Sequence, residues 1–154
     1  MISSVPQNPE EALNPIRTIA SQFIETLLMN NKATNKKEAI VIMKKYLKMT
    51  QIMNPDQIIN KYPHQLTKSI IQRIVIAMAL STEAKIIIMD EPTKNLDSIT
   101  QAKIINLILT IKNTLDTSFI FISHDISLIS SVADKIAVMY AGRILEYGRT
   151  KDII

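Results

Sequence analysis

Ile86-Ile87-Ile88-Met89 is a run of strong strand formers that stops abruptly at two carboxylates, Asp90 and Glu91. A short strand apolar on both faces belongs inside a parallel sheet covered by helices. The segments after it fit that demand. A helical stripe through Ala102, Ile105, Ile108 and Leu109 spans Ile99 to Leu115, capped by Asp97 or Ser98, and Phe119 to Ile122 is a second buried strand. Strand, helix, strand in that order requires a parallel sheet with right-handed crossovers. Ile126, Ile129, Val132 and Ala133 mark a short helix. Ile136 to Tyr140 and Ile144 to Tyr147 read as a hairpin turned at Ala141-Gly142, and Lys151 to Ile154 opens a last helix. The expected fold class is α/β.

The preceding residues have a different texture. Asn14-Pro15 predicts a cap followed by a first-turn proline, with Ile16, Ile19, Ala20, Phe23, Ile24, Leu27 and Leu28 on one helical face and Asn30-Asn31 as its end. A second helix follows Asn35, presenting Ala39, Ile40, Met43, Tyr46 and Leu47. Asn54-Pro55 repeats the capped start and Tyr62-Pro63 closes that short turn. A third long helix opens at Thr67 and runs to about Ser81 through Ile70, Ile71, Ile74, Ala77 and Met78. Three parts are therefore expected: residues 1–13, a helical region 14–82, and a strand–helix region 83–154.

The chemistry concentrates where strands end. Adjacent side chains diverge there, at the edge where α/β proteins bind ligands. Asp90 and Glu91 can then divide the work of phosphoryl transfer, one holding Mg²⁺ and the other directing an attacking water; the plainer alternative is that they begin a solvated loop. The second strand ends Ile122-Ser123-His124-Asp125. Neighbouring strands would bring His124 beside Glu91 as a hydrogen-bond donor or proton-handling group.

Composition sets the boundaries of this reading. The 154 residues hold 2 glycines where about 11 would be usual. Gly142 and Gly148 both lie near the end, so no glycine-rich phosphate loop exists within these residues. No apolar run approaches the roughly 18 residues of a membrane span. The absence of Cys excludes disulfides and thiolate metal sites. A net charge of +4 comes mainly from lysines spread along the chain, and aromatic residues are 5%. That pattern describes a solvated surface rather than a nucleic-acid groove, so no nucleic-acid partner is expected.

These segments together resemble the nucleotide-binding domain of ATP-binding cassette (ABC) transporters, a P-loop NTPase fold. Ile86 to Asp90 is similar to the Walker B strand, Glu91 to the catalytic carboxylate, Asn95-Leu96-Asp97 to the D-loop and His124 to the switch histidine. Val5-Pro6-Gln7-Asn8-Pro9 resembles the Q-loop. Ala12-Leu13-Asn14-Pro15, Tyr62-Pro63-His64-Gln65-Leu66 and Ala137 to Arg143 resemble the peptide/nickel importer branch. The resemblance implies ATP and Mg²⁺ as ligands, with Asp90 and Gln7 toward the metal and Glu91 and His124 toward the reacting phosphate. It also implies a trans contribution to a second ATP-binding subunit from Thr67, Ser69 and Asp97. Transmembrane permease subunits and a cytoplasmic location, peripheral at the inner face of the membrane, complete the expectation.

Two departures from the family pattern stand out. The Walker A loop lies upstream of the Q-loop in the family, whereas Gln7 is the seventh residue here. The sequence thus reads as a C-terminal portion of the domain, expected to bind ATP weakly, to be marginally stable alone and to need a chain that supplies the P-loop. The signature, normally Leu-Ser-Gly-Gly-Gln, is Leu66-Thr67-Lys68-Ser69-Ile70. Side chains stand where glycine lets backbone N–H groups approach a phosphate. A non-catalytic remnant or split-subunit interaction module is the alternative. DNA-repair ATPases with the same head fold suit the short Gln7-to-Leu66 interval less well.

Overall fold

The 86–90 strand is the organising element of the fold. In the computed structural model, which describes residues 1–94 and 96–154, this strand lies between two parallel neighbours. β1 is Ile2–Val5, β2 Ile86–Asp90 and β3 Ser118–Ile122, in the order β1-β2-β3. Ile2 stands opposite Ile86 and Val5 opposite Met89; Ile86 faces Ser118 and Asp90 faces Ile122. β1 has no counterpart in the sequence expectations. Its Ile-Ser-Ser-Val lacks any alternation, and it becomes a strand only by pairing with residues some eighty positions away.

Between β1 and β2 the chain forms a helical layer. α1 is Ile19–Met29, α2 Lys36–Met49 and α3 Lys68–Ser81. The caps of α2 and α3 are as expected: Asn35 accepts from the Glu38 amide and Thr67 from the Ile70 amide. α1 differs. Thr18 caps it rather than Asn14, and Ile16 is exposed. The reason is a local competition. The Asn14 side chain bonds the Ile16 amide in a turn, while buried Gln22 accepts from the Asn14 amide and donates to the Asn14 and Arg17 carbonyls. Phe23, Ile19, Leu27, Met43, Leu47, Ile74, Ile76 and Leu80 are fully buried and form one core with Val5, Ile87 and Met89. Pro55–Gln57 and Pro63–Gln65 are single 3₁₀ turns, shorter than a helix.

The second half alternates as expected, with corrections in facing. α4 is Ser98–Lys112, capped by Asp97. Its buried face is Ile104, Leu107, Ile108 and Ile111, rotated from the expected stripe, and Ala102 is exposed. β2 is buried only through Ile87 and Met89, since Ile86 and Ile88 face a side that no helix among the described residues fully covers. Among the described residues β3 has β2 on one side only, and one of its faces is open rather than buried: Ile120 and Ile122 are 48% and 51% exposed. α5 (Ile126–Val132) buries Leu128 and Val132 and leaves Ile126 exposed. β4 (Lys135–Tyr140) and β5 (Arg143–Arg149) form a separate antiparallel hairpin, followed by α6 (Thr150–Ile153). Ala141 and Gly142 both have positive φ (48° and 76°), the left-handed pair that a two-residue hairpin turn needs.

Candidate functional site

Three parallel strands end along one edge of the sheet, and the residues just beyond them are Gln7, Glu91 and the Ser123-His124 pair. Glu91 is the sharpest feature of that edge. Its φ is +45°, a left-handed conformation that a side chain ordinarily avoids. The turn is held by tertiary bonds. The Glu91 amide donates to the Ile122 carbonyl at 2.9 Å, continuing the β2–β3 ladder by one bond. The Lys94 amide returns to the Glu91 carbonyl at 3.0 Å, and Gln101 of α4 donates to the Thr93 carbonyl at 3.1 Å. Strain of this kind persists where surrounding structure over-determines it.

The Glu91 carboxylate is gripped by the β3–α5 turn. Oε1 accepts from the His124 amide at 3.1 Å and lies 2.6 Å from His124 Nδ1; Oε2 accepts from Ser123 Oγ at 3.2 Å. An ionised carboxylate only accepts, so Nδ1 carries the shared proton and Nε2 points away from Glu91. The carboxylate is largely covered and the imidazole is open, with 15% and 81% side-chain exposure. Burial alone would raise the Glu91 pKa. The hydrogen bonds from the His124 ring and amide, the His124 charge and the Ser123 hydroxyl together outweigh it and hold the carboxyl below its usual range. At neutral pH Glu91 is therefore an ionised acceptor placed at a strand end.

Asp125 anchors the same turn. Its Oδ1 accepts from the Ser127 and Leu128 amides at 2.9 and 3.1 Å and from Ser127 Oγ at 2.5 Å, which caps α5. Its pKa is lowered first by the Ser127 hydroxyl bond. Ser123 is the residue that sequence reasoning passed over. Its only signal was its place between an apolar strand and His124, with a hydroxyl where the strand stops.

Asp90 is half-buried beside Glu91, and no hydrogen bond among the described residues engages its carboxylate. Gln7 is half-buried just past β1 at the same edge. A carboxylate and an amide oxygen at one sheet edge are hard donors of the kind Mg²⁺ takes alongside water and phosphate oxygens.

The remaining expected residues lie elsewhere. Thr67 and Ser69 sit at the start of α3, where Thr67 Oγ1 accepts from the Ile70 amide at 3.4 Å. Asp97 caps α4 through the Thr100 amide and hydroxyl at 3.0 and 2.6 Å; the Thr100 hydroxyl bond is the main cause of its lowered pKa. Among the described residues no hydrogen bond or ion pair links these three to Glu91 or His124. Asn95 of the expected D-loop lies outside the described residues.

Comparison with known proteins gives a consistent result. The pattern of the family described as ABC transporter matches residues 1–94. The dipeptide transport ATP-binding protein DppD of Bacillus subtilis is 44% identical over 99% of this chain, which spans 45% of that protein. The oligopeptide transport ATP-binding protein AmiE of Streptococcus pneumoniae is 41% identical over 99% of this chain and 42% of its own length. Among solved structures, cbiO1 of Clostridium perfringens, part of the ABC transporter complex cbiONQ, superposes with a TM-score of 0.84 at 27% identity, covering 99% of this chain and 58% of that one. The chain thus spans less than half the length of these curated relatives.

Proposed function

Because the chain belongs to the ABC transporter family, we propose that it forms the Walker B, D-loop and switch-histidine part of an ATP-hydrolysing subunit for peptide uptake. Supporting this is one observation above all: Glu91, ionised and held at the edge of a parallel sheet by the Ser123-His124 turn, next to an uncommitted Asp90. Asp90 and Gln7 hold Mg²⁺, which when bound neutralises charge on the phosphates. Glu91 accepts a proton from the attacking water. The exposed His124 ring turns toward the terminal phosphate, and Gln7 orients the same water. Thr67, Ser69 and Asp97 act across the interface with a second ATP-binding subunit.

The relatives named above are transport ATP-binding proteins, and the partners of this chain follow by the same reading: permease subunits in the membrane and a second ATPase subunit. Among the described residues no helix is long and apolar enough to cross a membrane, which suits a peripheral position on its cytoplasmic face. Phosphate cradling comes from a P-loop that these residues do not contain, so a longer chain or a second polypeptide supplies it. The side of β3 away from β2 is the natural place for that segment to add.

A specific observation keeps a second reading in view. Lys68 and Ser69 occupy the N-terminus of α3, and the two glycines are both in the hairpin region. That favours an interaction module that turns over no ATP. A Mg-ATP titration followed by hydrolysis assays, on this chain with its P-loop-bearing partner, separates the two. Under the catalytic reading, Glu91→Gln keeps binding and lowers turnover roughly 10²- to 10⁴-fold. Absence of turnover in the unsubstituted assembly overturns it. Lys68→Gly with Ser69→Gly raises turnover if the altered signature is the limiting defect.

A further inference from the structure

The carboxylate of Glu91 has two holds of different character. His124 grips Oε1 through a ring that is 81% exposed and free to rotate about its own side-chain bonds. Ser123 grips Oε2 from a position that cannot swing in that way. Its Oγ accepts from the Asp125 amide at 3.1 Å, and Asp125 is itself fixed as the cap of α5 by three bonds to Ser127 and Leu128. A hydroxyl has one proton. With the Asp125 N–H occupying an acceptor lobe, that proton is directed to Glu91 Oε2 at 3.2 Å. The chain of contacts runs from the α5 cap through the Asp125 amide and the Ser123 hydroxyl to the carboxylate.

We propose that Ser123 is a positioning residue for Glu91: it fixes the plane of the carboxylate, so that Oε1 stays aimed when the His124 ring leaves. The inference rests on the hydrolytic role assigned to Glu91 above. Without the Ser123 bond Oε2 has no hold: the carboxylate turns about its Oε1 contacts even while the His124 ring is bound, weakening the Nδ1–H contact, and once the ring leaves only the His124 amide remains. The carboxylate then rotates about its terminal bond, where the torsional wells are broad. Thr at position 123 retains the hydroxyl; Ala removes it.

The test compares Ser123→Ala and Ser123→Thr by two independent readouts. The first is the ring ¹⁵N spectrum of His124 in the full chain, assigned with His64→Gln and recorded with the ring neutral. The unsubstituted chain and Ser123→Thr show the Nδ1–H form, and Ser123→Ala drifts toward a mixture of tautomers. The second is ATP turnover by the chain assembled with its P-loop-bearing partner. Ser123→Ala lowers kcat roughly 10- to 100-fold with KM for ATP nearly unchanged, as expected for a misaimed group that does not bind substrate, and Ser123→Thr restores it. A residue that merely stabilised the turn would lower thermal stability and leave the ring spectrum as it was. An unaltered spectrum in Ser123→Ala, or a Ser123→Thr variant as impaired as Ser123→Ala, overturns the proposal. If the unsubstituted assembly hydrolyses no ATP, the functional reading falls, while the ring spectra still decide whether Ser123 orients the carboxylate.

Discussion

The helical layer and the β3-to-β5 region are both built from strongly apolar sequence and end in opposite states. α1, α2 and α3 bury Phe23, Leu27, Met43, Leu47, Ile74 and Leu80 completely against one another and against β1 and β2. The hairpin leaves Met139, Tyr140, Ile144, Leu145 and Tyr147 each more than 60% exposed, and β3 shows Ile120 and Ile122 on an open face. The difference lies in partners and not in composition. A helix hides its stripe against neighbours close in the chain, whereas the faces of a strand are hidden only where another layer packs on the sheet. Glu91 sits on the seam. Its backbone follows directly on β2, and its side chain is held by the turn that leaves β3.

Measurements on either side of that seam test whether the two regions differ in solution as they do in packing. The largest expected effect is in the helical core, where Phe23→Ala costs about 3–5 kcal/mol in denaturant unfolding. Leu145→Ala, already exposed, changes stability by no more than about 0.5 kcal/mol. Equal costs would mean that the hairpin is packed in solution. Native-state hydrogen exchange gives the next contrast: amides of α1 and α3 exchange through global unfolding, and those of β4 and β5 through faster local opening.

The smallest effect is a pH dependence carried by the helical layer alone. Tyr46 of α2 donates to Glu83 at 3.3 Å, and Glu83 also pairs with Lys32 at 2.8 Å. Burial first, then the negative charge and hydrogen bond of Glu83, push the Tyr46 hydroxyl up from 10.0 to about 12. A pKa raised on folding means that the neutral phenol is the form the fold favours. Its contribution is complete below pH 10.0 and is lost as pH rises through about 12. Tyr46→Phe removes that part of the alkaline limb in a thermal-unfolding series. An unchanged limb would show that Tyr46 is not held as described.

Much of this was legible beforehand because it is local. Asn35, Thr67 and Asp97 cap the helices expected of them, and Ala141-Gly142 makes the expected turn. The meeting of Glu91 with His124 was also foreseeable, since a strand–helix–strand unit places two strand ends side by side. What failed did so where a competing bond or packing decided the outcome. Asn14 lost the cap of α1 to Thr18 because buried Gln22 claims its backbone. The α4 stripe was set a few residues off because its apolar residues run all round the helix, and only packing selects Ile104, Leu107, Ile108 and Ile111. Ser123 was invisible because a serine after a strand carries no pattern until the carboxylate it touches has been folded onto it.

By itself, then, the sequence determined element types, caps, turns and the pair of acids at a strand end, all of which depend on residues within a few positions of one another. The tertiary structure alone decided that Ile2–Val5 is a strand and that Glu91 adopts a left-handed turn with both carboxylate oxygens engaged. Each of those outcomes depends on a hydrogen-bond partner tens of residues distant in the chain, and short-range preference has no means of choosing it.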